Sequence, residues 1–262
     1  MTNPAAGRSR QHPAETADTG RSRGWPLPGV DGDRSGGWAV LHLFCELGPG
    51  TDDAAAEWAL ACCQAEGYEV VTVEVLGHKA DLGVLAIGPS FERLRELQTE
   101  LRHAGCEPRY SYVSATEVSE YAARVPEEAK KARLRPKLPP EGMPAFCFYP
   151  MSRRRRGDDN WYLLPHAERL RMMIGHGKVG SAFRGRVVQL VTGSSGLDDW
   201  EWGVTLFGAT FDDVKSCVYA MRFDEASARY GEFGPFLTGI VKAPAAILAQ
   251  ARRARPEPPV VP

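Results

Sequence analysis

One succession of elements, met twice, limits the folds open to this chain. Trp38 to Leu47 (WAVLHLFCEL) reads as a buried strand. Asp52 or Asp53 can cap a helix over Ala54 to Ala65, which Gly67 ends. Tyr68 to Val75 is β-rich, Leu76-Gly77-His78 makes a turn, and Ala80 to Ile87 is a further strand. Ser90 caps a helix from Phe91 to His103, Gly105 closes it, and Glu107 to Ser114 is a strand. The order β-α-β-β-α-β is that of the ferredoxin-like unit. It returns with little residue identity: strand Ala145 to Met151, helix Pro165 to His176, strands Arg186 to Thr192 and Trp200 to Phe207, helix Phe211 to Tyr230, strand Phe236 to Val241. Two such α+β units can pair their sheets face to face or edge to edge into an α+β barrel.

Composition divides the chain around these units. Residues 1–36, rich in Gly, Pro, Ser, Arg and Asp without apolar periodicity, are expected to be a disordered N-terminal arm. Residues 37–143 hold the first half and a charged, proline-bearing connector with some helix. Residues 144–250 hold the second half, and 251–262 form a loose tail. The formal net charge of -1 provides no bulk field for nucleic acid or an anionic membrane. No apolar run reaches the roughly 18 residues of a membrane span, and no signal-peptide core is visible, so a cytoplasmic protein is expected. The six cysteines form no C-x-x-C pair and sit mostly in apolar segments, as buried thiols do in a reducing compartment. No zinc spacing is present.

The chemistry concentrates in the second half, where a phenol, an imidazole, a carboxamide and a cationic cluster lie in or beside apolar segments. Such a set suits a flat, acidic, redox-active ligand. His176 shares a helix face with Met172 and Met173, and Gly177 follows as a C′ residue. Spacing alone leaves it open between a core or C-capping histidine and an axial ligand to haem iron. Tyr149 ends an apolar strand before Pro150, either as a strand-end tyrosine or as a redox or acid–base phenol. Arg153 to Arg156 form a tight group suited to carboxylates or phosphates, unless Asp158 and Asp159 simply neutralise it; Arg133 and Arg135 could join it. Gln189 lies in the apolar strand Val187 to Val191, so its carboxamide is expected to be buried and partnered by backbone or ligand. The Gly193 to Gly196 loop leads into a strand and lacks a lysine, so it reads as a hairpin connection.

Several ordered motifs give these residues a context. They are Cys147-Phe148-Tyr149-Pro150-Met151-Ser152-Arg153-Arg154-Arg155, Asn160-Trp161-Tyr162, His176-Gly177, Gln189 with Val191-Thr192-Gly193-Ser194, Asp198 to Phe207, and Met221 to Ser227 with Glu232-Phe233-Gly234. Together they resemble the coprohaem decarboxylases, the hydrogen-peroxide-dependent haem synthases of the chlorite dismutase-like family. The strong match covers about 145–242, and the first half matches mainly in architecture.

The resemblance implies a dimeric α+β barrel of two ferredoxin-like halves, assembled as a homopentamer. It implies an oxidoreductase that binds iron coproporphyrin III as both substrate and redox cofactor. With hydrogen peroxide the enzyme converts two propionates to vinyls, releasing carbon dioxide and giving haem b, the last step of coproporphyrin-dependent haem biosynthesis. A coproporphyrin ferrochelatase would be a transient partner; nucleic acid would not. In the pattern of that family His176 matches the proximal iron ligand, Tyr149 the radical-forming tyrosine and Gln189 the distal glutamine. Arg153 falls where many members carry a lysine near the reacting propionate. Ser227 matches a propionate-binding serine, Met151 a residue lining the pocket, and Trp161 a tryptophan near the porphyrin. Pro150 and Ser152 belong to the same binding tract. Arg135 by simple spacing, or Arg133 with a short gap, fits a further propionate-binding arginine. Arg153 in place of lysine keeps the charge but loses the neutral amine needed for a proton shuttle. Gln189 stands where chlorite dismutases have an arginine, which disfavours chlorite breakdown. The rivals are a haem peroxidase or chlorite dismutase-like enzyme of the same fold, and a non-catalytic haem-binding protein.

Overall fold

Strand β1 (Ala39–Leu47) shows why the first half reads as continuous apolar sequence. Val40 and Phe44 pack on one face, and Ala39, Leu41, Leu43 and Cys45 on the other, so both faces are buried. The computed structural model describes residues 37–122 and 125–251. The expected arm over 1–36, and the expected tail beyond its first residue, lie outside the described residues.

Helix α1 (Asp53–Ala65) is capped by Asp52, which accepts from Ala55 N at 3.0 Å. Strands β2 (Glu69–Val75) and β3 (Leu82–Gly88) follow. Helix α2 (Phe91–His103), capped by Ser90, buries Leu94, Leu97 and Leu101 at helical spacing. Strand β4 (Cys106–Thr116) and a connector helix α3 (Glu127–Leu134) complete this half.

The second half opens with β5 (Ala145–Arg153) and a small hairpin, β6 (Arg155–Arg156) and β7 (Asp159–Asn160). A 3-10 turn, Trp161–Leu163, leads into α4 (His166–Ser181). Strands β8 (Val187–Gly193) and β9 (Trp202–Gly208) then form an antiparallel pair, so the glycine loop between them is a hairpin connection as expected. The helix expected over Phe211 to Tyr230 is two helices, α5 (Phe211–Met221) and α6 (Glu225–Tyr230), because Asp224 starts the second as its N-cap. Strands β10 (Gly231–Phe233) and β11 (Leu237–Val241) and helix α7 (Pro244–Ala251) end the described chain. Helix α7 adds an element after the last expected strand. It buries Ile247 and Leu248 in the core that β1, α1 and α2 share.

The strands run in the order β10-β5-β11-β2-β3-β1-β4-β8-β9, and β9 also pairs with β5. Eight strands therefore close on themselves, with β10 flanking β5. The halves join edge to edge, at β11–β2 (Gly239↔Val75 to Val241↔Val73) and at β4–β8 (Ala115↔Gly193, Thr116↔Thr192). At the first seam a Cβ on Gly239 would stand 2.4 Å from Glu74 O and from Val73 Cγ1, so the approach there requires glycine.

Side chains fill the barrel interior: Phe44, Val71, Ile87, Tyr112, Phe146, Phe148 and Phe207 are all buried in it. His42 is buried among them, its ring stacked on Phe148 and its Nε2 2.8 Å from Thr205 Oγ1. Desolvation lowers its pKa to about 3, so it is neutral. With the interior full, a large ligand must be held outside the barrel, between the sheet and its helices.

Candidate functional site

Alternation along β5 sets which groups face that outer layer. Phe146 and Phe148 point into the barrel, while Cys147 and Tyr149 point out, into a cluster with Val204, Leu206 and Val214. Tyr149 is only 8 % exposed. Its ring is stacked on Phe236 at 4.6 Å and 24°, and tilted to Phe233 at 5.9 Å. Burial pushes its phenol above the ordinary tyrosine range, so the hydroxyl keeps its proton. Pro150 is buried opposite Gly203, and its carbonyl accepts from Gly234 N at 2.9 Å. Met151 is half-buried and faces Trp202 across the ladder. Ser152 is buried and its Oγ accepts from Glu201 N at 3.2 Å.

Gln189 comes to the same outer face. The register runs Tyr149↔Val204↔Val191 and Cys147↔Leu206↔Gln189, so two strand spacings, about 10 Å, separate the rows of β5 and β8. The carboxamide is exposed, contrary to the burial expected from its apolar flanks. The reason is the strand period: Leu190 takes the barrel side, leaving Gln189 and Val191 outside.

The arginine run does not act as one group. Arg153 turns inward and is 6 % exposed. Its NH1 donates to Ala226 O at 2.8 Å, its NH2 meets Met173 Sδ at 3.4 Å, and its guanidinium lies over the Trp161 ring at 4.7 Å. Desolvation lowers its pKa, opposed by the nearby carboxylates of Asp224 and Glu201. Glu201 also accepts from the Arg153 backbone N–H at 2.8 Å. Arg154 lies 3.6 Å from Asp159 and 3.8 Å from Glu232, while Arg155 and Arg156 are exposed on the hairpin. Trp161 is buried, edge-on to Tyr230 and Tyr121. Arg133 is exposed in the last turn of α3, and Arg135 caps that helix with its guanidinium over Trp38 at 4.5 Å. The contact that places Arg135 thus lies just before β1, with Trp38.

His176 lies inside α4, not at its end. The helix continues to Ser181, and Gly177 is a helical residue instead of a C′ cap. Met172 is buried and Met173 half-buried on the same face, whereas Ile174 is 52 % exposed. Arg171 holds Glu225 through two hydrogen bonds of 2.9 Å, docking α6 on α4. That brings Asp224 Oδ2 to 3.1 Å from His176 Nδ1, with Ser227 Oγ 3.4 Å from the same nitrogen. Burial would raise the Asp224 carboxyl, but hydrogen bonds from His176 and Ser227 outweigh it and hold the group below its ordinary value. An ionised acceptor at Nδ1 fixes the proton there and leaves the Nε2 lone pair for a metal. An imidazole oriented by a carboxylate, on a helix face shared with thioether and apolar side chains, is the donor set a haem iron takes from a protein. Asp224 is the residue that sequence reasoning missed. Ser227, assigned to a propionate, sits in this cluster as well.

The six cysteines are free, five of them buried and Cys62 half-buried. No helix among the described residues is long and apolar enough to cross a membrane.

The chlorite dismutase family model matches residues 52–242. Among solved structures the chain is similar to a heme-binding protein from Thermus thermophilus, with 38% identity and a TM-score of 0.73, over 82% of this chain and 95% of that one. It is also similar to the chlorite dismutase from Candidatus Nitrospira defluvii in complex with imidazole, with 17% identity and a TM-score of 0.66, over 83% of this chain and 96% of that one. At that lower identity the likeness speaks for the fold alone.

Proposed function

The chain belongs to the chlorite dismutase family, and from that premise we propose that it is a coprohaem decarboxylase. It takes iron coproporphyrin III and hydrogen peroxide and returns haem b. Each propionate, with one peroxide and one proton, gives a vinyl group, carbon dioxide and two waters. Once bound, the iron porphyrin would supply the oxidising power together with peroxide. His176 would hold the iron through Nε2, and Asp224 would keep the imidazole in that tautomer. Gln189 is an uncharged hydrogen-bonding group on the outer face, suited to neutral peroxide and poorly suited to holding an anionic oxidant such as chlorite.

The observation that carries the reading is Tyr149: a buried, protonated phenol on the outer face it shares with Gln189. Such a phenol gives up an electron and its proton together, then regains both as a hydrogen atom from the propionate. A carrier has no use for it. Arg153 keeps donors beyond those bound to Ala226 and Met173, and these would hold a propionate carboxylate. Arg133 or Arg135 would hold another, with Pro150, Met151, Ser152, Trp161 and Ser227 shaping the surroundings. The protein would work in the cytoplasm as a homopentamer and receive its substrate from a ferrochelatase.

The test is to add iron coproporphyrin III to the purified protein, titrate peroxide and follow the porphyrin by mass spectrometry. Stepwise loss of two carboxyl groups, ending at haem b, is expected. Bleaching without that mass change would replace the proposal with the peroxidase or carrier reading.

A further inference from the structure

We infer that Phe236, together with Phe233, is a positioning residue for Tyr149: the two rings clamp the phenol against the outer face of β5 and close it from water. The geometry stands without the decarboxylase reading; the catalytic consequence rests on it.

The clamp arises from an interruption in the ladder. Strand β10 pairs with β5 through Phe233↔Met151 and Gly231↔Arg153, and β11 pairs with it from Leu237↔Phe148 to Ile240↔Ala145. Tyr149 and Pro150 lie between the two ladders. Pro150 has no N–H to offer on either side, so the partner chain leaves the sheet there and arches over it. Residues Gly234 to Phe236 form the arch. Its depth is set by Gly234, where a Cβ would stand 2.6 Å from Pro150 Cγ and 2.9 Å from the Trp200 ring. Two contacts from other elements hold it down. Lys79, in the turn between β2 and β3, donates to Phe236 O at 2.5 Å. The Arg222 guanidinium lies over the Phe233 ring at 4.1 Å. The near-parallel Phe236 ring and the tilted Phe233 ring then leave the Tyr149 ring one place to lie.

A group that abstracts hydrogen works only at contact distance, and a misplacement of about 1 Å can cost on the order of a hundredfold in rate. Burial beneath the clamp also keeps the phenol protonated. The first half of the chain, which holds Arg133 and Arg135 among the candidate site residues, also reaches the clamp through Lys79.

The experiment compares Phe236→Leu and Phe236→Trp, each alone and combined with Tyr149→Phe, after circular dichroism has established that they fold. Alkaline titration of phenolate absorbance, subtracted between each variant and its Tyr149→Phe partner, isolates Tyr149. In the unmodified protein Tyr149 is expected to ionise above the ordinary tyrosine value of ~10. Phe236→Leu should lower it toward that ordinary value, and Phe236→Trp, which keeps a flat ring, should hold it up. In parallel, propionate lost per peroxide consumed should fall about tenfold in Phe236→Leu, in line with a positioning loss, while affinity for iron coproporphyrin III stays within about threefold. An unchanged Tyr149 titration in Phe236→Leu overturns the clamp. If the titration responds but the unmodified protein forms no decarboxylated product, the clamp stands and the decarboxylase reading falls. Should Phe236→Leu not fold, Phe233→Leu puts the same question through the second ring.

Discussion

At the scale of single residues, the site pairs an imidazole with a carboxylate and sets a phenol apart from both. Replacing Tyr149 with Phe removes only a hydroxyl from a packed ring. Decarboxylation should drop by about a hundredfold or more, with porphyrin affinity within about threefold, as read from turnover and from spectral titration. Loss of binding in that variant would mean that the phenol shapes the site instead of reacting in it. Asp224→Asn keeps the shape but removes the charge that fixes Nδ1–H, and should weaken porphyrin binding by roughly ten- to a hundredfold and shift the absorption band. The same change has a pH signature. Because the folded carboxyl lies below its unfolded value of ~3.9, its stabilisation is present above that pH and lost as pH falls through the folded value. The melting difference between wild type and Asp224→Asn should therefore shrink on going from neutral pH to pH below ~3.9. A constant difference would show that Asp224 acts without its charge. Tyr149 and His176 were legible because their neighbours form ordered motifs. Asp224 was not, because it fell inside what read as one long helix from Phe211 to Tyr230, and the N-cap that places it beside His176 shows only in the structure. Gln189 was misjudged because Val187 to Val191 looks like a core strand, and only its period of two shows which side of the sheet each residue takes.

At the scale of elements, Arg153 is the pin of the second half. One guanidinium joins α4 through Met173, α6 through Ala226 and the 3-10 turn through Trp161. A lysine cannot reproduce a planar fork stacked on an indole, so Arg153→Lys should lower stability by about 1–3 kcal/mol and weaken porphyrin binding along with it. Thermal melts of the apoprotein check this directly; unchanged melting would reduce Arg153 to a ligand contact. Element types were readable from periodicity, but two ends were not. Gly177 suggested a C′ residue, yet the helix continues through it because Lys178 to Ser181 sustain the hydrogen bonds, and the glycine with positive φ comes later, at Gly185. The break between α5 and α6 was hidden because Met221 to Ala226 keeps helix-forming composition, while Asp224 takes an extended backbone and caps the second helix.

At the scale of the whole molecule, the sequence left open whether the halves would meet by faces or by edges, since register depends on pairings more than a hundred residues apart. The edges close the barrel, and three whole elements of contact carry most of the join between the halves. They are the β11–β2 seam, the β4–β8 seam and α7, which returns from the second half to bury Ile247 and Leu248 in the first. An open sheet edge would expose unpaired backbone groups, so neither half can part from the other without losing both seams. Unfolding of the apoprotein should accordingly be a single transition, with tryptophan fluorescence and circular dichroism coinciding, and bound porphyrin should raise it as one. Gly239→Val attacks one seam only, at the position where a Cβ would stand 2.4 Å from Glu74 O. Overpacking there should cost about 1–3 kcal/mol, whereas Gly48→Ala, with nothing within 4 Å, should cost much less. If closure couples the halves, Gly239→Val lowers the whole transition and keeps it single. A variant melting in two steps, with the porphyrin stabilising only the second, would show that the halves are separate cooperative units that merely share a sheet.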